Sequence, residues 1–170
     1  MANKGKDDGG WLKAYKDGTT SLDPATNGDG SVTLVDSTTY YLPVGSDFAP
    51  LPAELGLVSV HLKWASAVAA VATVEASDFP EKVLGRRRGG GYDVTDYDAT
   101  AGNWIQLNPT DAYVPVSGSG NSADQATVTL GGSAAGGCIF NLFDTGARRL
   151  RIKIVVTTGG KLWANAHGKD

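Results

Sequence analysis

One cysteine, Cys138, and two histidines, His61 and His167, are all that this chain of 170 residues holds of the side chains most often used as nucleophile, base or zinc ligand. A lone cysteine excludes an internal disulfide, and the three residues together fall short of a zinc site by spacing. No Gly-x-Ser-x-Gly elbow is present to activate a serine, and Ser117-Gly118-Ser119-Gly120-Asn121-Ser122 reads as a flexible loop. Long apolar runs are also missing. The most apolar stretch, Ala65 to Ala72, is Ala-rich and bounded by Lys63 and Glu75, far from the ~20 apolar residues a membrane helix needs, so no membrane partner is expected. The opening residues, Met1 to Gly10, hold no apolar segment of the signal-peptide kind, which with the single thiol predicts synthesis and folding in a reducing cytoplasm. Net charge is small: 15 Lys and Arg against 18 Asp and Glu leave −3, giving no overall pull toward nucleic acid or an anionic membrane.

What remains is the material of a β-protein. A chain of this length supports one domain with a sizeable core. Residues 1–30 carry Lys4, Lys6, Asp7, Asp8, Lys13, Lys16 and Asp17 with few large apolar groups, and read as a flexible N-terminal arm anchored by Trp11, Leu12 and Tyr15. From Ser31 to Asp170 the pattern changes to short runs of Val, Ile, Thr and aromatics between Gly, Pro, Asn, Asp and Ser clusters. The expected strands are 31–36, 39–42, 57–65, 67–76, 92–97, 103–107, 112–116, 125–130, 138–143, 148–157 and 161–167.

Two strands alternate cleanly. Val58, Val60, Leu62 and Trp64 oppose Ser59, His61 and Lys63, and Leu150, Ile152, Ile154 and Val156 oppose Arg149, Arg151 and Lys153, so each has one buried and one wet face. The run from Ala67 to Val74 is small and apolar on both faces; its Val and Thr content favours a strand over a helix. Thr158-Gly159-Gly160-Lys161 carries a two-residue hairpin signal for the last two strands, and Asn27-Gly28-Asp29-Gly30 introduces the first. Many short antiparallel strands, long Gly and Ser loops and almost no helix predict an all-β fold: a β-sandwich of jelly-roll (Greek-key) type rather than an immunoglobulin fold, whose disulfide spacing is missing.

Chemistry is thin on this framework. His61 stands at an outward strand position and reads as a solvated side chain; His167 shares a strand face with Trp163 and Asn165 and reads as an interface residue. Cys138, at a strand start after two glycines, reads as a buried thiol. Asn27, Asp29 and Gly30, followed by Asp36, overlay part of a calcium loop, but Ala25 stands where its first carboxylate should be, so an ordinary Asx-Gly turn is expected and no cofactor or metal is assigned. Glu75, Asp78 and Glu81 are an acidic cluster that reads as solvated rather than as the carboxylate pair of a glycosidase. Gly131 to Gly137 lacks the Lys-Ser/Thr of a phosphate-binding loop. Together these readings predict a protein that is not an enzyme.

One cluster stands out: Gly85-Arg86-Arg87-Arg88-Gly89-Gly90-Gly91-Tyr92. Three guanidiniums on flexible backbone suit phosphate, yet with a net negative chain and no second loop of this kind, a protein interface is the favoured reading, because the guanidinium fork pairs with carboxylates.

The order Asn103-Trp104-Ile105-Gln106-Leu107, Pro109, Ala112-Tyr113-Val114, Gly146-Ala147-Arg148-Arg149-Leu150-Arg151-Ile152-Lys153-Ile154, a Gly-Gly turn and His167-Gly168-Lys169 resembles small structural proteins of tailed-bacteriophage virions. The likeness covers roughly Val58 to Lys169; the N-terminal part and the arginine loop lie outside it. The resemblance implies a capsid decoration, or cement, protein: a jelly-roll trimer that binds the major capsid protein on the outside of the shell. Under this reading Arg86, Arg87, Arg88, Trp11, Leu12, Tyr15, Trp163 and His167 are the partner-binding residues. The alternative is a carbohydrate- or receptor-binding sandwich of a phage tail or fibre, with Trp104, Trp163, Tyr92, Tyr97 and Tyr113 as its aromatic surface.

Overall fold

Almost every long strand has the period-2 pattern that buries one face, and the computed structural model arranges those faces against each other as a two-layer antiparallel sandwich. It describes residues 8–16, 20–45, 57–77, 85–86, 92–93, 104–107, 112–113, 116–117, 127–131, 135–143 and 149–169. The strands are β1 (Asp8–Trp11), β2 (Ala14–Lys16), β3 (Thr20–Leu22), β4 (Ser31–Leu34), β5 (Thr39–Gly45), β6 (Leu57–Trp64), β7 (Ala69–Ser77), β8 (Gly85–Arg86) and β9 (Tyr92–Asp93). They continue with β10 (Ile105–Gln106), β11 (Ala112–Tyr113), β12 (Val116–Ser117), β13 (Thr127–Gly131), β14 (Gly136–Phe143), β15 (Arg149–Thr158) and β16 (Gly160–Lys169).

The first sheet runs β1-β16-β6-β14-β11, with β4 also on β16 and β12 also on β14. The second runs β10-β7-β15-β5-β2-β3, with β13 also on β7; β8 and β9 form a separate two-stranded ladder. Between the two large sheets lies one core. The first contributes Val58, Val60, Leu62 and Trp64 from β6, Phe140 and Leu142 from β14, and Leu162, Ala164 and Ala166 from β16. The second contributes Ala70, Ala72 and Val74 from β7, Ile152, Ile154 and Val156 from β15, and Tyr40, Leu42 and Val44 from β5. Each large side chain removed from water here contributes about 1.5–3 kcal/mol. The Ala-rich run is a strand, as its Val and Thr content predicted, and its alanines let the two layers approach; its outer face leaves Val71 exposed beside the exposed Val155. Among the described residues no helix is long and apolar enough to cross a membrane.

Two expectations are corrected. Residues 8–16 and 20–22, expected in a flexible arm, are strands of the sandwich: β1 pairs with β16, β2 pairs with β5, and the Leu12 amide donates to the Ala164 carbonyl at 2.9 Å. Leu12 and Ala14 point into the core, so their burial ties the segment down. Gly159-Gly160 is not the turn of a hairpin. β15 belongs to the second sheet and β16 to the first, so the pair of glycines carries the chain across the edge of the sandwich. A side chain on Gly159 would overlap the Leu34 carbonyl, and the Gly159 amide donates to Asp36 Oδ1 at 2.6 Å. Close backbone approach at a corner demands glycine as firmly as a tight hairpin does, and sequence alone does not separate the two.

Candidate functional site

The outer face of the first sheet gathers residues from the two ends of the chain. Strand register builds it in three rows. Trp163 on β16 lies between Ser31 of β4 and Lys63 of β6. Next, Asn165 lies between Trp11 of β1 and His61 of β6, and His61 stands opposite Ile139 of β14. In the third row His167 lies between Gly9 of β1 and Ser59 of β6, and Ser59 stands opposite Asn141, to whose Oδ1 its hydroxyl donates at 2.8 Å. Four strands at the usual spacing make this face about 14 Å wide. Trp11 is 50% exposed and Ile139 39%, while His61, Lys63 and His167 also face solvent.

A tight turn fixes the two tryptophans. The Trp163 indole N–H donates to the Asp29 carbonyl at 3.0 Å, and Lys63 Nζ stands 5.0 Å above the Trp163 ring, a cation–π contact worth about 0.5–1 kcal/mol at an exposed site. Asp29 Oδ1 accepts from the Ser31 amide at 3.0 Å and its hydroxyl at 2.5 Å, and Oδ2 from Lys161 at 2.8 Å. The Lys161 ammonium first, and then the Ser31 donors, hold the Asp29 carboxyl far below the ordinary carboxylate value. Its lone pairs are thus engaged in an Asx turn, the arrangement expected of Asn27-Gly28-Asp29-Gly30. Gly30 follows with φ +75°, and a Cβ there would come within 2.8 Å of the Trp11 ring. Only glycine serves at this position, because the ring lies directly on the backbone.

The residues expected to bind a partner divide. Trp11, Trp163 and His167 share the outer face just described. Leu12 is in the core and Tyr15 is buried, so neither is a surface anchor, a correction that follows from β1 and β2 being sandwich strands. The backbone of Arg86 pairs with Tyr92 in the β8–β9 ladder; Arg87 and Arg88 lie outside the described residues, as do Tyr97, Asp78 and Glu81. What sequence reasoning missed was that His61, Lys63 and Ile139 extend the Trp163–His167 surface. Their outward phase was legible; the pairing of β6 with β16 was not.

Glu75, expected to be solvated, is not. It is buried opposite Arg151, whose Nε donates to Glu75 Oε2 at 2.7 Å and whose Nη2 lies 2.5 Å from the same oxygen. The Arg151 guanidinium is stacked against the rings of Trp104, 3.9 Å from its centroid, and Tyr41, at 4.4 Å. Trp104 is therefore a cover over this ion pair rather than an open aromatic platform, and Arg151 is not on a wet face. Among the described residues no three His, Cys, Asp or Glu converge on a metal position. His61 leans over Gly137, where a Cβ would come 3.3 Å from its Nε2, and so turns toward β14 rather than toward His167 on β16.

Cys138 is buried as its setting predicted, and burial pushes its thiol up to about 12 despite a backbone hydrogen bond from Leu62 that favours the thiolate. The folded protein is expected to leave Cys138 unmodified by a disulfide reagent at pH 8, and denaturant to release stoichiometric reaction. Rapid labelling of the native protein would show that β14 opens locally.

No protein-family model matches this chain, and no curated protein matches it in sequence.

Proposed function

We propose that this protein is a non-enzymatic virion component, a decoration protein of jelly-roll type that binds the outer surface of a phage shell as a homotrimer. The observation that carries the reading is the exposed sheet face where Trp11, Trp163, His61, His167, Lys63 and Ile139 meet. Half-exposed aromatics with imidazole, amide and aliphatic groups on rigid strands are the composition of a protein-docking surface, able to bury apolar area while its polar groups set register. The resemblance of the Trp-Ile, Ala-Arg-Arg-x-Arg and His-Gly-Lys segments to virion proteins supports the capsid as that partner.

The test is co-sedimentation with empty shells assembled from the major capsid protein of the same phage, paired with light scattering. The wild type is expected to pellet with shells and to have a solution mass near three times 17.6 kDa. Lys63→Glu combined with Ile139→Asp changes two exposed side chains and is expected to weaken shell binding at least tenfold with little change in melting temperature. Undiminished binding by the double variant would remove this face from the interface, and a wild type that does not pellet would remove the capsid reading.

A further inference from the structure

Beside Trp11 lies a cleft of about 400 Å³. One wall is the Trp11 ring. The short 3₁₀ turn Pro24–Asn27 contributes Pro24 and Ala25 to the lining, and Gly28 and Gly30 line the cleft as well. Lys13 and Asp23 complete the lining, held together by an Nζ–Oδ2 ion pair of 3.0 Å, both about half exposed. Asp23 is fixed independently, because its Oδ1 accepts from the Ala25 amide at 2.9 Å.

We infer that this cleft is a binding site for a neutral pyranose sugar, a role that does not depend on the capsid reading. Volume comes first: 400 Å³ lies at the lower end of small-ligand pockets and accepts one or two sugar rings. The aromatic wall comes second. The negative face of an indole attracts the positive C–H edges on the apolar side of a pyranose, and Trp11 is held in place by its contact with Gly30 while remaining 50% exposed. Polar chemistry comes third. Vicinal hydroxyls need a donor and an acceptor at adjacent points, which a locked ammonium–carboxylate pair supplies at once. The pair is fully ionised at neutral pH: the Ala25 amide and then Lys13 hold Asp23 below the ordinary carboxylate value, and Asp23 holds Lys13 above its own. Its charges cancel, so the lining selects an uncharged ligand over an anion or a cation. The missing side chain at Gly28, around which nothing lies within 4 Å, leaves room beside the turn for a bulky ring.

The experiment is titration of the full chain with glucose, galactose, mannose, N-acetylglucosamine and glucuronate, followed by tryptophan fluorescence and by NMR shifts of the Gly28 and Gly30 amides. One neutral sugar is expected to bind with a Kd on the order of 1 mM, as suits a single open site. Trp11→Ala is expected to abolish the shifts. Asp23→Asn, which keeps the cap on Ala25, is expected to weaken binding about tenfold. Val155→Thr, on the outer face of the second sheet, should leave affinity unchanged. No saturable shift with any sugar, or one that survives Trp11→Ala, would overturn the site; glucuronate binding tightest would overturn the neutral ligand class. Shell co-sedimentation by Asp23→Asn reports separately on the capsid reading, which this substitution leaves intact.

Discussion

Arg151→Ala is expected to lower the unfolding free energy by about 3–5 kcal/mol, the range found when one partner of a buried ion pair is removed. Arg151 is 4% exposed and Glu75 8%, and they are direct cross-strand partners on β15 and β7. Without the guanidinium, the cation left to the Glu75 carboxylate among the described residues is Lys153, whose Nζ is 3.8 Å from Oε1. The carboxylate's charge is then left buried with poor solvation. The substitution also removes the cation that contacts the rings of both Trp104 and Tyr41. Two controls isolate the cause. Arg151→Met with Glu75→Leu removes both charges while keeping much of the volume, and is expected to recover most of the loss, since a well-packed apolar pair often matches a buried ionic one. Glu75→Gln, which leaves the guanidinium without its countercharge, is expected to be destabilising on its own. Chemical denaturation measures all of them. A single Arg151→Ala variant within 1 kcal/mol of wild type would mean that water reaches the carboxylate.

The same pair shows where sequence reasoning stops. The phase of β15 was legible: Leu150, Ile152, Ile154 and Val156 are buried inward as their alternation predicts, and Arg151 does point outward. What was not legible is that outward is still inside. Trp104, distant in sequence, sits just before β10, which pairs with β7, and it covers Arg151. Coverage of this kind depends on which strand pairs with which, and nothing in a single strand's pattern records it. The N-terminal strands failed for a different reason. β1, β2 and β3 have only three or four residues each, rich in Gly, Lys, Asp and Thr, so Leu12 and Ala14 were too few inward positions to show a period against a polar background. The Gly159-Gly160 corner failed for a third, that glycine marks close approach without saying of what. The candidate face was half legible: Trp163, Asn165 and His167 follow from the period of β16, whereas Trp11 and His61 join them only through register.

Trp64→Ala is the second substitution expected to have a large effect, lowering stability by about 3–5 kcal/mol through lost burial and the void it leaves. Trp64 is among the largest fully buried side chains, at 1% exposure, and its strand β6 is held between β16 and β14 in the middle of the first sheet. The layers on both sides of the core are tied into hydrogen-bonded sheets, so collapse around the void is limited. The indole has a weakness, however. Its N–H is buried and finds no acceptor among the described residues, so the native state carries a desolvated donor that opposes the gain from burying the ring. Trp64→Phe keeps an aromatic disc and removes that donor. It is expected to destabilise far less than Trp64→Ala, by no more than about 1.5 kcal/mol, because the smaller ring's lost contacts are offset by the removed desolvation penalty. Equilibrium unfolding of the two variants decides the point. If Phe falls close to Ala, shape complementarity at Trp64 outweighs the orphan donor; if Phe matches wild type, the donor's penalty has cancelled most of what the extra ring contributes.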